Sequence, residues 1–173
     1  FVTKNKKFLN VNLCMRYYEK TYGEIVDFNF LYNHIKIIIN SHNKNVSDYL
    51  FYDFGSGYGK LVNFFSNYCK KSIGVEIEKD KYEKSLCFNA ENIFFYNQNF
   101  FDHKLESACI LLINNLCFGP GTNKRLSMKI LNECSKGDVI LVSKKMDLLE
   151  DYFLNFITLE CTWGESEIYF YIL

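Results

Sequence analysis

Only one proline occurs in the 173 residues, and no stretch is repetitive or of low complexity, so nothing in the chain reads as a linker between domains. With 49% of residues apolar, the chain is long enough to bury one sizeable core, and residues 1–173 are read as a single domain. Excess charge of either sign is absent as well. Twenty basic residues balance twenty acidic ones, which removes any global field toward nucleic acid or an anionic membrane and leaves only local patches. The seven cysteines form no CxxC pair and are odd in number, which argues against a zinc site and a disulfide framework and for a reducing compartment; no metal is expected. No apolar run is long enough to span a bilayer, and FVTKNKKFLN lacks the apolar core of a signal peptide. The expected location is intracellular, nuclear or cytoplasmic, with no membrane partner. The chain begins with Phe1 rather than methionine, as a trimmed fragment does. Its 17 phenylalanines and 13 tyrosines, with abundant Asn and Lys, fit the codon bias of an AT-rich genome and are treated as background.

What the chain does have is FYDFGSGYGK, Phe51 to Lys60, followed by the apolar run SIGVEIE, which carries Glu76. The first segment has the form of a buried strand breaking into a glycine turn that opens a helix, where backbone amides can approach a nucleotide-like ligand. A dinucleotide fingerprint needs its third glycine where Lys60 stands and keeps the position of Asp53 apolar, so that reading fails. An acid, glycines at alternate positions, then a second acid at the end of the next strand resembles the pattern of class I S-adenosylmethionine (AdoMet) methyltransferases.

The rest of the chain supplies the elements of such a fold. Phe28, Leu31, Tyr32, Ile35 and Ile38 recur at helical spacing ahead of the first strand. Strands are expected near 50–54, 72–76, 93–96, 109–113 and 139–143, alternating with helices near 60–69, 80–89 and 123–134; this order implies parallel strands with helices on both faces. Residues 156–162 and 167–173 alternate in period two around Trp163-Gly164-Glu165-Ser166, a terminal hairpin. The expected fold class is α/β, and the resemblance implies a Rossmann-like seven-stranded sheet closed by a C-terminal antiparallel hairpin.

That resemblance implies a site as well. Asp53, Gly55, Ser56, Gly57 and Gly59 would line the methionine and ribose side of the cofactor. Glu76 would accept the ribose hydroxyls, its rival reading being a solvated strand-end acid. Asn99 would bond the edge of adenine and Phe100 would stack on it, with plain core packing as the rival for Phe100. The loop INNLCFGP follows the fourth strand, where substrate-facing residues sit. It lacks the Asp/Asn-Pro-Pro-aromatic pattern of many exocyclic-amine methylators, which counts against a base-methylating enzyme. His34, His42 and the pair Asp102-His103 are assigned no role, and Trp163 is read as bracing the sheet, with shaping of the substrate channel as the rival reading.

In one order along the chain run TYGE, YDFGSGYG, VEIE, NNLCFGP, VILVSKK and TWGESEIYFY. Taken together they resemble the non-SET histone lysine methyltransferases, the disruptor-of-telomeric-silencing (DOT) family, from Tyr22 to the C-terminus. The resemblance puts Tyr22, Gly23 and Glu24 on a loop over the cofactor and has Asn114, Phe118 and Tyr169 border a lysine channel. It implies a protein substrate, the histone of a nucleosome in the family, and the chain carries no strong nucleic-acid signal. Ile25 stands where the family usually has threonine, Lys60 where it has glutamine, and the stretch from Glu76 to Asn92 is short. The basic segments available for docking are Lys4, Lys6 and Lys7, and Lys144-Lys145. Two alternatives stay open: a class I methyltransferase for another protein, RNA or small molecule, and a catalytically silent scaffold of the same fold.

Overall fold

The computed structural model describes residues 24–173. In chain order these form α1 (Phe28–Ser41), β1 (Leu50–Phe54), α2 (Lys60–Phe65), β2 (Lys71–Glu76), α3 (Lys79–Ser85), β3 (Ile93–Asn97) and β4 (Cys109–Ile113). Then follow α4 (Pro120–Glu133), β5 (Val139–Val142), β6 (Phe153–Cys161) and β7 (Gly164–Ile172). Every residue of β1, β4 and β5 is buried, so these strands need cover on both faces, as central parallel strands do. The sheet order is β3-β2-β1-β4-β5-β7-β6; the first five strands are parallel, and β7 inserts antiparallel between β5 and β6. This is the expected Rossmann-like seven-stranded sheet closed by a C-terminal antiparallel hairpin.

Alternation along the strands sorts the core into two layers. On one face, Leu31, Ile35, Ile38 and Ile39 of α1 and Phe65 of α2 pack over Phe51, Ile110, Leu112, Leu141 and Phe170. On the other, Leu126 and Ile130 of α4, with Leu149 of a short 3₁₀ helix at Asp147–Tyr152, cover Tyr52, Leu111, Ile113, Ile140 and Tyr171. Each fully buried side chain of this kind contributes roughly 1.5–3 kcal/mol. Asp27 caps α1, its side chain accepting from the Phe30 N–H at 2.9 Å. Among the described residues, no helix is long and apolar enough to cross a membrane.

Element boundaries depart from the sequence reading where polar side chains compete with the helix. The expected helix over 60–69 ends at Phe65, because Ser66 Oγ donates to the Asn63 carbonyl at 2.7 Å and Asn67 Nδ2 donates to the Phe64 carbonyl at 3.0 Å. Likewise the helix expected over 80–89 stops at Ser85, whose Oγ donates to the Tyr82 carbonyl at 2.7 Å. In contrast, α4 starts three residues early, at Pro120, whose fixed φ suits a first turn that has no use for its missing N–H. The hairpin turn also moves. Cys161 pairs with Gly164, so the loop is Thr162-Trp163 rather than the expected four residues, and Gly164 closes it at a φ of 135°.

Candidate functional site

Gly55, Gly57 and Gly59 all take positive φ, at 84°, 54° and 78°, and this lets the chain fold back sharply at the C-terminal end of β1. The Gly55 and Ser56 amides donate to the Val75 carbonyl at 2.8 and 3.2 Å, which pins the turn to β2. Glu76, buried at the end of β2, accepts from the Gly57 amide through Oε2 at 2.7 Å and from the Glu78 amide through Oε1 at 2.8 Å. Its carboxylate thus holds the turn in shape while each oxygen keeps a further lone pair. That is a more structural role than either reading of a strand-end acid. A methyl group built on Gly55 or Gly57 would meet nothing within 4 Å, so both face open space. One on Gly59 would lie 2.5 Å from Phe95 Cζ, so this glycine is needed for close packing against β3.

The open space is a cleft at the C-terminal ends of β1, β2 and β4. Glu24, Asp53, Gly55, Ser56, Gly57, Glu76 and Asn114 all line it, so seven of the expected site residues converge there. Burial first, and the Glu76 charge second, push the Asp53 carboxyl up to about 7. Ser56 Oγ is buried with no hydrogen-bond partner. Apolar walls come from Ile25, Phe28, Leu61, Leu112, Leu116 and Ile168, and Ser143 and Ser166 add polar points. Residues 24–26 lie along one side as a strap: Ile25 bridges Cys161, the Thr162 amide donates to the Glu24 carbonyl at 2.9 Å, and Lys60 Nζ sits 2.7 Å from Glu24 Oε2. The strap is therefore tied both to the hairpin and to the first residue of α2.

Four other expected residues do not reach the cleft. Tyr169 shares its parity with Tyr171 and points to the α4 face, whereas Ser166 and Ile168 face the cleft; the Tyr169 hydroxyl donates instead to Glu167. Phe118 and Phe100 stack at 5.8 Å, and Phe100 stacks on Phe54 at 5.3 Å, so these rings pack together on the second core layer. Asn99 closes a local turn, its Oδ1 accepting from the Phe101 amide at 3.0 Å. Tyr22 and Gly23 lie outside the described residues. Trp163 corrects a reading in the other direction: it lines the cleft and is 40% exposed, so it shapes the rim rather than bracing the sheet.

Some residues at or behind the cleft carried no sequence signal. Ser143 and Ser166 are single serines in apolar strands or at their ends. Asn115, beside Asn114, is wholly buried: its Nδ2 donates to Asn123 Oδ1 and to the Lys144 carbonyl, both at 3.0 Å, and its Oδ1 accepts from the Lys144 amide at 2.7 Å. It welds the loop after β4 to the end of β5 and leaves Asn114 exposed at the cleft. His103 packs against Tyr52, Phe54 and Tyr96, and burial lowers its pKa.

A family model described as histone methylation protein DOT1 matches residues 10–160. The chain belongs to the DOT1 family. Solved structures place the DOT1-family fold among methyltransferases more widely. An RNA methyltransferase from Salinibacter ruber, in complex with S-adenosyl-L-homocysteine, superposes with a TM-score of 0.59 at 17% identity, over 81% of this chain and 90% of that one. The N-methyltransferase NodS from Bradyrhizobium japonicum WM9, in complex with the same molecule, gives 0.64 at 6% identity, over 84% and 87%. Magnesium protoporphyrin IX methyltransferase from Synechocystis PCC 6803, with bound SAM, gives 0.61 at 12%, over 97% and 91%. No curated protein matches the chain in sequence. The fold is that of a class I methyltransferase.

Proposed function

We propose that this DOT1-family chain transfers a methyl group from S-adenosylmethionine to the side-chain amine of a lysine in a protein. The observation that carries the reading is the convergence, in one cleft, of Asn114 from the NNLCFGP loop with Asp53, Gly57 and Glu76. The cleft fits the cofactor on its own chemistry: open glycines where a Cβ would intrude, an unpartnered Ser56 Oγ, and two buried carboxylates, Asp53 and Glu76. Asp53 would hold the cofactor's ammonium group, Glu76 its ribose hydroxyls, and Gly55 and Gly57 would admit its close approach. When bound, the cofactor supplies a methyl carbon activated by a sulfonium.

The chain's own residues must then deliver a neutral amine. A lysine in water titrates near 10.4, and the charged form is disfavoured when water is stripped from it. Phe28, Leu116, Trp163 and Ile168 give the cleft apolar walls suited to that desolvation, and no dedicated base is required. Asn114 supplies an exposed amide whose oxygen can accept one amine N–H and so set the direction of the lone pair. The histone of a nucleosome is the proposed acceptor protein, a reading supported by the family match alone.

Labelled methyl from S-adenosylmethionine, offered nucleosomes, total protein and RNA in parallel, tests the proposal. Label on protein lysine is the expected result, with a rate that rises with pH as more amine becomes neutral. Asn114→Ala should lower turnover by about tenfold, the worth of one hydrogen bond to the reacting group, with S-adenosylhomocysteine affinity unchanged. Label confined to RNA or small molecules, or tight S-adenosylhomocysteine binding without any acceptor, would overturn it.

A further inference from the structure

At the end of the sheet opposite the cleft, three side chains able to ligate a metal converge among the described residues. They are Cys109, Cys134 and Asp138, whose sulfur and oxygen atoms all lie within 4.8 Å of one another. Cys109 is the first residue of β4, Cys134 is the C-cap of α4, and Asp138 stands just ahead of β5. Asn114 at the cleft follows the other end of β4, so at about 3.3 Å per strand residue the cluster lies roughly 16 Å away from it. The backbone fixes all three positions. The Cys134 amide donates to the Ile130 carbonyl at 2.9 Å, and the Asp138 amide donates to the Ser135 carbonyl at 3.0 Å. Asp138 Oδ1 accepts from the Cys109 amide at 2.8 Å and Oδ2 from the Ser135 amide at 2.7 Å, which leaves each oxygen a further lone pair. Cys109 and Asp138 are buried, whereas Cys134 is half-buried and gives the group its side toward solvent. No described lysine or arginine makes an ion pair with Asp138.

We infer that Cys109, Cys134 and Asp138 bind one zinc ion, or a divalent cation of the same thiophilic class, which locks the start of β4 to the end of α4 and to the turn before β5. Both S–H bonds break as two metal–sulfur bonds form, the two protons pass to water, and an Asp138 oxygen supplies the third bond. A water reaching the metal from the Cys134 side completes a tetrahedron. The sulfurs stand 4.0 Å apart. Two thiolates held tetrahedrally at about 2.3 Å from a metal lie roughly 3.8 Å apart, whereas a disulfide draws its sulfurs to about 2.05 Å. The carboxylate points the same way: it is a ligand for a cation, but beside a dithiol it would only repel the thiolate that begins disulfide formation. The expectation of no metal rested on spacing along the chain, and the fold brings together what that spacing keeps apart. Placed at the far end of the sheet, the site is structural, and the inference does not depend on which acceptor the cleft methylates.

The test titrates the full chain, reduced and stripped of metal, with Co²⁺ and then with Zn²⁺. One equivalent of Co²⁺ should give a thiolate-to-cobalt charge-transfer band with the absorption of a tetrahedral site, and one equivalent of Zn²⁺ should abolish both. Zn²⁺ should also raise the melting temperature, because it binds the folded chain. Cys134→Ser, at the half-buried position, should lose the band and bind Zn²⁺ about a hundredfold more weakly, at least as much as changes to residues that merely support a ligand cost. Asp138→Asn exchanges one carboxylate oxygen for a nitrogen that cannot ligate, and it too should weaken Zn²⁺, which a site of two thiols alone would not show. Cys87→Ser should keep wild-type affinity. A second measurement needs no variant: Zn²⁺ should slow the alkylation of Cys134 and leave that of Cys87 unchanged. A wild-type chain without the cobalt band, a Cys134→Ser variant with unchanged Zn²⁺ affinity, or alkylation of Cys134 indifferent to Zn²⁺ would each overturn the inference. So would peptide mapping that finds a Cys109–Cys134 disulfide forming readily in a chain that takes up no metal, the result expected of a redox pair.

Discussion

Gly57 and Gly59 stand two residues apart in the same turn at similar positive φ, so an added methyl strains both backbones alike, by roughly 1–2 kcal/mol. What separates them is the space in front. Gly57→Ala should fold and place its methyl in the cleft, so S-adenosylhomocysteine should bind clearly more weakly in calorimetry. Gly59→Ala drives its methyl toward the Phe95 ring and should lose stability beyond the shared strain, with ligand affinity near wild type in the molecules that remain folded. Equal ligand affinities in the two variants would contradict the assignment of Gly57 to the cleft. The spacing of glycines was legible from the sequence, but their division of labour was not, because it depends on Phe95, a residue of β3 brought in by the fold. The same limit explains Tyr169 and Phe118. Motif order located their strands and loops, while one step of strand parity and one aromatic stack decided where their rings point.

At the scale of elements, the periodic segments were the legible ones. All five parallel strands, the helix ahead of them and the terminal hairpin lie where burial and alternation put them. Helix ends were not legible, since Ser66, Asn67 and Ser85 end their helices through side-chain bonds to carbonyls that no periodicity records. Loops were least legible of all. NNLCFGP was marked for Asn114, yet its shape rests on Asn115, the buried clamp between the β4 loop, α4 and the end of β5. Asn115→Ala should cost roughly 2–3 kcal/mol in denaturant unfolding, because it strands the Lys144 amide and carbonyl without partners. Turnover should fall further than the folded fraction accounts for, as Asn114 loses its fixed position at the cleft. A variant as stable and active as wild type would show that the loop holds its form without the clamp.

For the whole molecule, the two carboxylates of the cleft couple cofactor binding to stability. Asp53 titrates at about 7 in the folded chain against an ordinary 3.8, so between those values the native state holds a proton that the unfolded state has released. Stability contributed at this site is therefore fully present below 3.8, declines as pH rises, and levels off once pH passes about 7. The cause is removal from water first and repulsion from Glu76 second, both of which act against the charged form. A ligand bringing an ammonium beside Asp53 reverses the preference, because it attracts the carboxylate and repels its proton. S-adenosylhomocysteine should accordingly bind more tightly as pH climbs toward neutrality and raise the melting temperature most where the free protein has lost the most. Asp53→Asn removes the titration: the free protein should show a flatter stability profile over that interval and bind the ligand weakly at every pH in it. Thermal melts of both proteins, with and without S-adenosylhomocysteine across the interval, give the measurement. A wild-type profile that keeps the same slope in the Asn variant would place the titrating group elsewhere and separate Asp53 from the cofactor's ammonium.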